Sequence, residues 1–313
     1  MVPQISKPGG NVILKSKKAS FQVCSEVIAD ASPVFRAIFR HHWREGQAIQ
    51  KAGPNSPVTI ELPGDDPDMV RIFVRTAHDQ ILGVPRELDI NYIHRLAVFA
   101  DKYDCAPLLR NYGEILIYRV LHNTSLMDDW WMLLQYAYVL KSEALFGELS
   151  RRLAVRLPGK VPGQVTSCCF AGEDIELFVP VEEIKDKLDA LSKSYLTTIS
   201  TILMTPQDIV IDCTCAPREC SVGDYLHQLG QLAIYPLPHS IDFRGKRPLD
   251  IIERARRLRP AVGVFSTGRC FDFCMLSELL IQGGVAARLE QAVSRGLCLQ
   301  CVTPGPCDKH PEA

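Results

Sequence analysis

NVILKSKKASFQVCSEVIADASPVFRAIFR, residues 11–40, is the stretch whose reading decides the fold. Its two halves carry different periods. Asn11–Lys15 and Ser20–Cys24 are short runs of β-prone residues separated by the polar Ser16-Lys17-Lys18, which predicts a hairpin. Apolar residues then recur at helical spacing as Val27, Ile28, Val34, Phe35, Ile38 and Phe39. Ser32-Pro33 interrupts them as a cap followed by a first-turn proline, which predicts two short helices.

The pattern continues outward. Val58–Leu62 alternates apolar with polar and stops at Pro63-Gly64-Asp65-Asp66, the signature of a third strand ending in a turn. From Asp66, Met69, Ile72, Phe73 and Ala77 share one helical face behind Pro67. From Asp89, Ile93, Leu96, Ala97, Ala100 and Tyr103 form one stripe, and a helix opening near Pro107 is predicted to turn Leu108, Tyr112, Ile115 and Val120 inward. A small sheet followed by packed helices gives an α+β domain over residues 10–121, behind a tail of residues 1–9.

Residues 122–157 read as a helical extension. Asp128 is expected to cap a helix bearing Trp130, Trp131, Leu134, Ala137 and Val139, and Ser142 to cap one bearing Leu145, Phe146, Leu149 and Leu153. The Gly/Pro-rich residues 158–180 are the expected linker. Residues 181–313 are predicted to be mainly α-helical and cysteine-rich. Their first helix spaces Ile184, Leu188, Leu191, Tyr195, Ile199 and Ile202 by threes and fours, which fits a short coiled coil or an amphipathic helix on a local core. Ile209-Val210-Ile211 looks strand-like.

Composition narrows the function. With 47% apolar and 23% charged residues the chain has the balance of a folding protein, and a formal net charge of -1 provides no global field for a nucleic-acid backbone. The first ten residues lack the apolar segment of a secretion signal and no run of 18 apolar residues occurs, so the expectation is a cytoplasmic and/or nuclear protein with no membrane partner. In that setting the twelve cysteines are expected to be reduced. Eight of them fall after residue 200: Cys213, Cys215, Cys220, Cys270, Cys274, Cys298, Cys301 and Cys307.

With those residues in place, positions up to 121 resemble a BTB/POZ domain of the divergent kind found in many fungal proteins. The resemblance rests on Asn11–Leu14, Phe21-Gln22-Val23, Val27-Ile28 to Ser32-Pro33-Val34-Phe35, Glu45, Ile60–Leu62 with Asp65-Asp66-Pro67, and Leu96-Ala97 with Ala100-Asp101-Lys102-Tyr103. It implies a module that binds a protein partner or a second copy of itself. Many animal members carry Asp and His where this chain has Asn11 and Cys24, so recruitment of a corepressor is not carried over. Trp43-Arg44-Glu45 is similar to the hydrophobic-x-Glu pattern by which some members dock on a cullin, as substrate adaptors of a ubiquitin ligase; a locally packed Trp43 beside a solvated Glu45 in a loop is the alternative.

Cys298, Cys301, Cys307 and His310 stand in the order C-x2-C-x5-C-x2-H, a ligand set suited to structural zinc; the other reading is a tail of reduced thiols. Cys213, Cys215, Cys220, Cys270 and Cys274 are a second candidate cluster, whose pairing spacing leaves open. Gly263–Cys270 imitates a phosphate-binding loop but has Arg269 where that motif needs lysine and Cys270 where it needs a hydroxyl. With no recognisable catalytic set, the expectation is an adaptor that performs no chemistry. A zinc-binding regulator of transcription, with Arg254, Arg256, Arg257, Arg259 and Arg269 as a basic stripe, is the alternative.

Overall fold

A computed structural model describes residues 4–5, 9–17, 19–52, 55–80, 82–157, 179–211, 226–234, 247–258, 284–303 and 307. These divide into two compact units: the described residues up to Leu145 with Val179 form one, and those of 146–157 and from Pro180 onward form the other.

In the first unit the predicted hairpin is β2 (Val12–Ser16) and β3 (Ser20–Val23), antiparallel with Leu14 opposite Phe21. A two-residue strand, β1 (Gln4–Ile5), adds to β3 within the stretch read as a tail, and β4 (Val58–Leu62) lies parallel to β2, so the sheet order is β1-β3-β2-β4. Alternation along the strands buries Val12, Leu14, Phe21, Val23, Ile60 and Leu62 on one face.

The helices follow in order: α1 (Ser25–Ala31), α2 (Pro33–Ile38), α3 (Arg44–Gln50), α4 (Pro67–Ala77), α5 (Ile90–Lys102), α6 (Ala106–Leu121) and α7 (Met127–Val139). Their starts obey local chemistry. Ser32 Oγ accepts from the Phe35 amide, Asp66 from the Asp68 amide and Asp89 from the Tyr92 amide, each satisfying a donor that the helix leaves unbonded. Three expectations need correction. Residues 44–50 are a helix and not a loop. Helix α7 begins at Met127, so Asp128 and Asp129 lie in its first turn, where Thr124 donates to the Asp129 carboxylate. On α6 the buried face is Leu109, Tyr112, Leu116 and Ile117, whereas Ile115 is 53% exposed and Leu108 and Val120 are half-buried.

One junction ties this unit together. The Tyr103 ring stacks on Phe35 at 4.6 Å, its carbonyl accepts from Ser32 Oγ at 2.5 Å, and its hydroxyl donates to Asp65 at 2.7 Å. Asp65 is 7% exposed and also receives Lys102 Nζ at 2.8 Å. Phe35 in turn stacks on Phe73 at 5.5 Å. Burial and the Asp65 carboxylate both push the Tyr103 hydroxyl far above its ordinary pKa, so it stays a donor.

The second unit is mainly helical. Helix α8 (Glu143–Arg156) begins at Ser142, whose Oγ accepts from the Leu145 amide, and the division between the units falls inside it. Helix α9 (Val181–Ile211) is one 31-residue element, and Ile209–Ile211 is its last turn rather than a strand. After a short helix α10 at 226–231 come α11 (Pro248–Ala255), α12 (Gly284–Ala292) and a 3-10 turn at Leu299–Cys301. Ile184, Leu188, Tyr195, Ile199 and Ile202 of α9 are buried, and α9 packs on α11 and α12, an amphipathic helix on its own local core. Leu191 is half-buried in the same stripe.

All three tryptophans, Trp43, Trp130 and Trp131, lie before residue 146, so tryptophan fluorescence reads the first unit. Asp65→Ala leaves the Tyr103 hydroxyl and Lys102 without their acceptor and is expected to destabilise this unit by about 2–3 kcal/mol. Tyr103→Phe, which keeps the stacking, costs about 1 kcal/mol. Denaturant titration followed by tryptophan emission measures both.

Candidate functional site

The docking candidate Trp43-Arg44-Glu45 opens α3, with Trp43 as its N-cap. The backbone is held from two sides. The Trp43 amide donates to the Arg40 carbonyl at 3.1 Å, and the Gln47 amide donates to the Trp43 carbonyl at 3.0 Å. Gly46 explains how the helix fits so close: a Cβ there would stand 1.9 Å from the Arg40 oxygen. Anchored this way, the segment faces solvent. Trp43 is 61% exposed, Arg44 and Glu45 are exposed, and Ile49 turns into the core. Local packing of Trp43, the alternative reading, is not what is found. His41 and His42 sit exposed beside it with their rings 3.8 Å apart.

A second exposed apolar group escaped the sequence reading. Ile115 and Tyr118 project from α6 one turn apart, and Leu126 precedes α7 at 64% exposure. The polar neighbours Glu114 and Arg119 were the available signal, but α6 is apolar on several sides and shows no single stripe.

The thiol cluster lies in the second unit. Cys298 precedes the 3-10 turn and Cys301 closes it, its amide donating to the Cys298 carbonyl at 3.1 Å. That turn points both side chains the same way, and Cys307 returns to them. The three sulfur atoms all lie within 4.8 Å of one another, and Cys301 Sγ is 3.5 Å from Cys307 Sγ. Burial first, then the hydrogen bond and the negative potential of Cys307 and Cys298, push the Cys301 thiol up to about 11. The Cys301 thiol so placed resists becoming a thiolate unless a cation compensates it. This is a group of ligands able to hold a metal ion. His310 and the second candidate cluster, Cys213, Cys215, Cys220, Cys270 and Cys274, lie outside the described residues.

Two arginines of the basic stripe are engaged within their own unit. Arg254 donates to the carbonyl of Ala233 at 3.2 Å, and Arg256 pairs with Glu290 at 2.8 Å. Arg257 lines a cleft of about 290 Å³ together with Arg247, Asp250, Glu253 and Arg254, a mixed set of charges. Arg259 and Arg269 lie outside the described residues. Among the described residues, no helix is long and apolar enough to cross a membrane.

Gly46→Ala forces backbone against backbone and is expected to cost about 1–3 kcal/mol in the tryptophan-monitored transition. Gly64→Ala, where a Cβ would meet nothing within 4 Å, is the control and stays within about 0.5 kcal/mol.

No curated protein matches the chain. The family model of the BTB/POZ domain matches residues 9–119, the span that holds the four-stranded sheet's β2, β3 and β4, the Tyr103 junction and the exposed α3 segment. Residues 9–119 of this chain are therefore a BTB/POZ domain, a module of protein–protein interaction.

Proposed function

We propose that the protein is a cytoplasmic and/or nuclear adaptor that performs no chemistry, engaging a protein partner, a second copy of itself, or both through its BTB/POZ domain. The reading goes one step finer at α3. There the exposed Trp43 with Glu45 two residues on offers an aromatic anchor beside a carboxylate, the combination by which a cullin-type scaffold would be held in a substrate adaptor for ubiquitin ligation. The single observation that carries this is a tryptophan 61% exposed on a backbone pinned by Gly46 and the Arg40 carbonyl. A rigid aromatic loses little conformational freedom on docking, so its burial is retained as affinity.

The expected result is a self-associated or partner-bound species by size-exclusion light scattering and affinity purification. A strict monomer without partners contradicts the adaptor reading. The Trp43→Ala, Glu45→Ala double variant is expected to lose a co-purifying cullin while keeping its folded-state fluorescence transition, at a cost in affinity of at least about 2 kcal/mol. Unchanged co-purification eliminates the cullin version and leaves the adaptor reading standing.

A second reading is favoured by the thiol cluster: the second unit binds a structural zinc through Cys298, Cys301 and Cys307, with His310 as the fourth ligand that the sequence supplies. Thiolate ligands select a soft or borderline cation over magnesium or calcium, and three sulfurs favour zinc. In this form the chain is a zinc-dependent regulatory protein whose cysteine region meets a partner. Elemental analysis of protein purified without chelator is expected to give about one zinc per chain, falling toward zero in the Cys298→Ser, Cys301→Ser variant. Absence of metal, or a Cys301–Cys307 disulfide found by mass spectrometry of the purified chain, overturns it.

A further inference from the structure

The thiol cluster sits at the end of a segment that is poorly supported by its own backbone. Residues 294–298 form no regular structure, and the 3-10 turn after them is a single turn of three residues. Such a turn has no cooperative stability of its own. Yet the segment is seated closely on α8 and α9. The Leu297 amide donates to Ser150 Oγ at 2.7 Å, and the Tyr195 hydroxyl donates to the Arg295 carbonyl. Gly296 lies so near Gly147 that a Cβ would stand 1.7 Å from the Gly147 oxygen. Val293, Leu299 and Val302 are buried there. Cys298 directly follows Leu297, the last residue of the seat.

We infer that metal binding by Cys298, Cys301 and Cys307 is the staple that holds residues 293–303 against α8 and α9, so that the order of the second unit's helical core is linked to the occupancy of this site. The inference rests on the zinc reading above. Its physical basis is that the ligands bracket the turn. With the three sulfurs on one cation, residues 298–307 become a closed ring that fixes the turn bearing the buried Leu299 and Val302, and its first ligand, Cys298, adjoins the docked Leu297. Each thiol gives up its proton to solvent as the cation takes its place, and no electron changes hands. Binding at the sulfurs and docking at α8 and α9 are then two faces of one equilibrium, and each strengthens the other by the same factor.

Hydrogen exchange on the full chain tests this, before and after metal removal by a chelator under reducing conditions and again after adding zinc alone. The expected result is exchange faster by about tenfold or more in residues 293–303 and in the facing parts of α8 and α9 after removal, restored by zinc, with residues 11–121 unchanged. If one zinc binds per chain and exchange does not respond, the staple is overturned and the zinc reading survives. If no zinc binds, both fall. Acceleration throughout the chain overturns the localised staple. A second test needs no ligand change: Ser150→Ala with Tyr195→Phe removes two docking bonds far from the sulfur atoms in sequence, and zinc affinity measured by competition is expected to fall by about tenfold. Unchanged affinity makes the thiol cluster autonomous and overturns the inference.

Discussion

Tyr103 holds three segments that are remote in sequence at a single point. Its ring lies on Phe35, its carbonyl takes the Ser32 hydroxyl, and its own hydroxyl reaches the buried Asp65. Each contact alone is modest. Together they fix where α2, the end of β4 and the C-terminus of α5 stand, and the other elements pack around that arrangement. Asp65 would be costly to bury unpaired, but Lys102 and Tyr103 satisfy it, so the polar junction specifies geometry that apolar packing alone leaves loose. Ser32 serves twice, as the cap of α2 and as a donor to α5, and thereby couples a local helix start to a distant one's end.

That rigidity positions the functional surface. The turn from Phe39 to Trp43 leads out of α2, and α3 is pressed onto the Arg40 carbonyl through Gly46, so the exposed Trp43 rides on backbone that the core holds. The second unit works by different means. Its core is mostly aliphatic and helical, and its last segment returns to α8 and α9 through main-chain hydrogen bonds to single side chains, with the three sulfurs at its end. One unit thus offers an exposed aromatic on a fixed frame, and the other a ligand group at a lightly supported terminus.

Much of this was legible because it is local. The hairpin, the third strand, and the caps at Ser32 and Ser142 depend on residues within three or four positions of one another. The elements that were misread lack such a signal. Helix α3 has only Ile49 fully buried among its larger side chains, too little to show a period over seven residues. Helix α6 is apolar on more than one side, so Ile115 was assigned inward when Leu116 and Ile117 are the buried pair. Ile209–Ile211 carries β-branched residues but continues α9, since the preceding helical turns outweigh a weak local preference. At Asp128 the carboxylate is favourable in the first turn near the positive end of the helix as well as at the cap, and spacing alone does not separate the two positions.

By itself the sequence determined most of the strands and helices, the family of the first domain, and which cysteines stand at ligand spacing, because periodicity, capping and short spacings are properties of neighbouring residues. Tertiary structure decided what depends on residues brought together from afar. Tyr103 meets Phe35 and Asp65, Trp43 stays in solvent, Cys307 comes back to Cys298 and Cys301, and Leu297 seats on Ser150. Those outcomes follow from which surfaces remain uncovered once the core has closed, and no short stretch of chain contains that information.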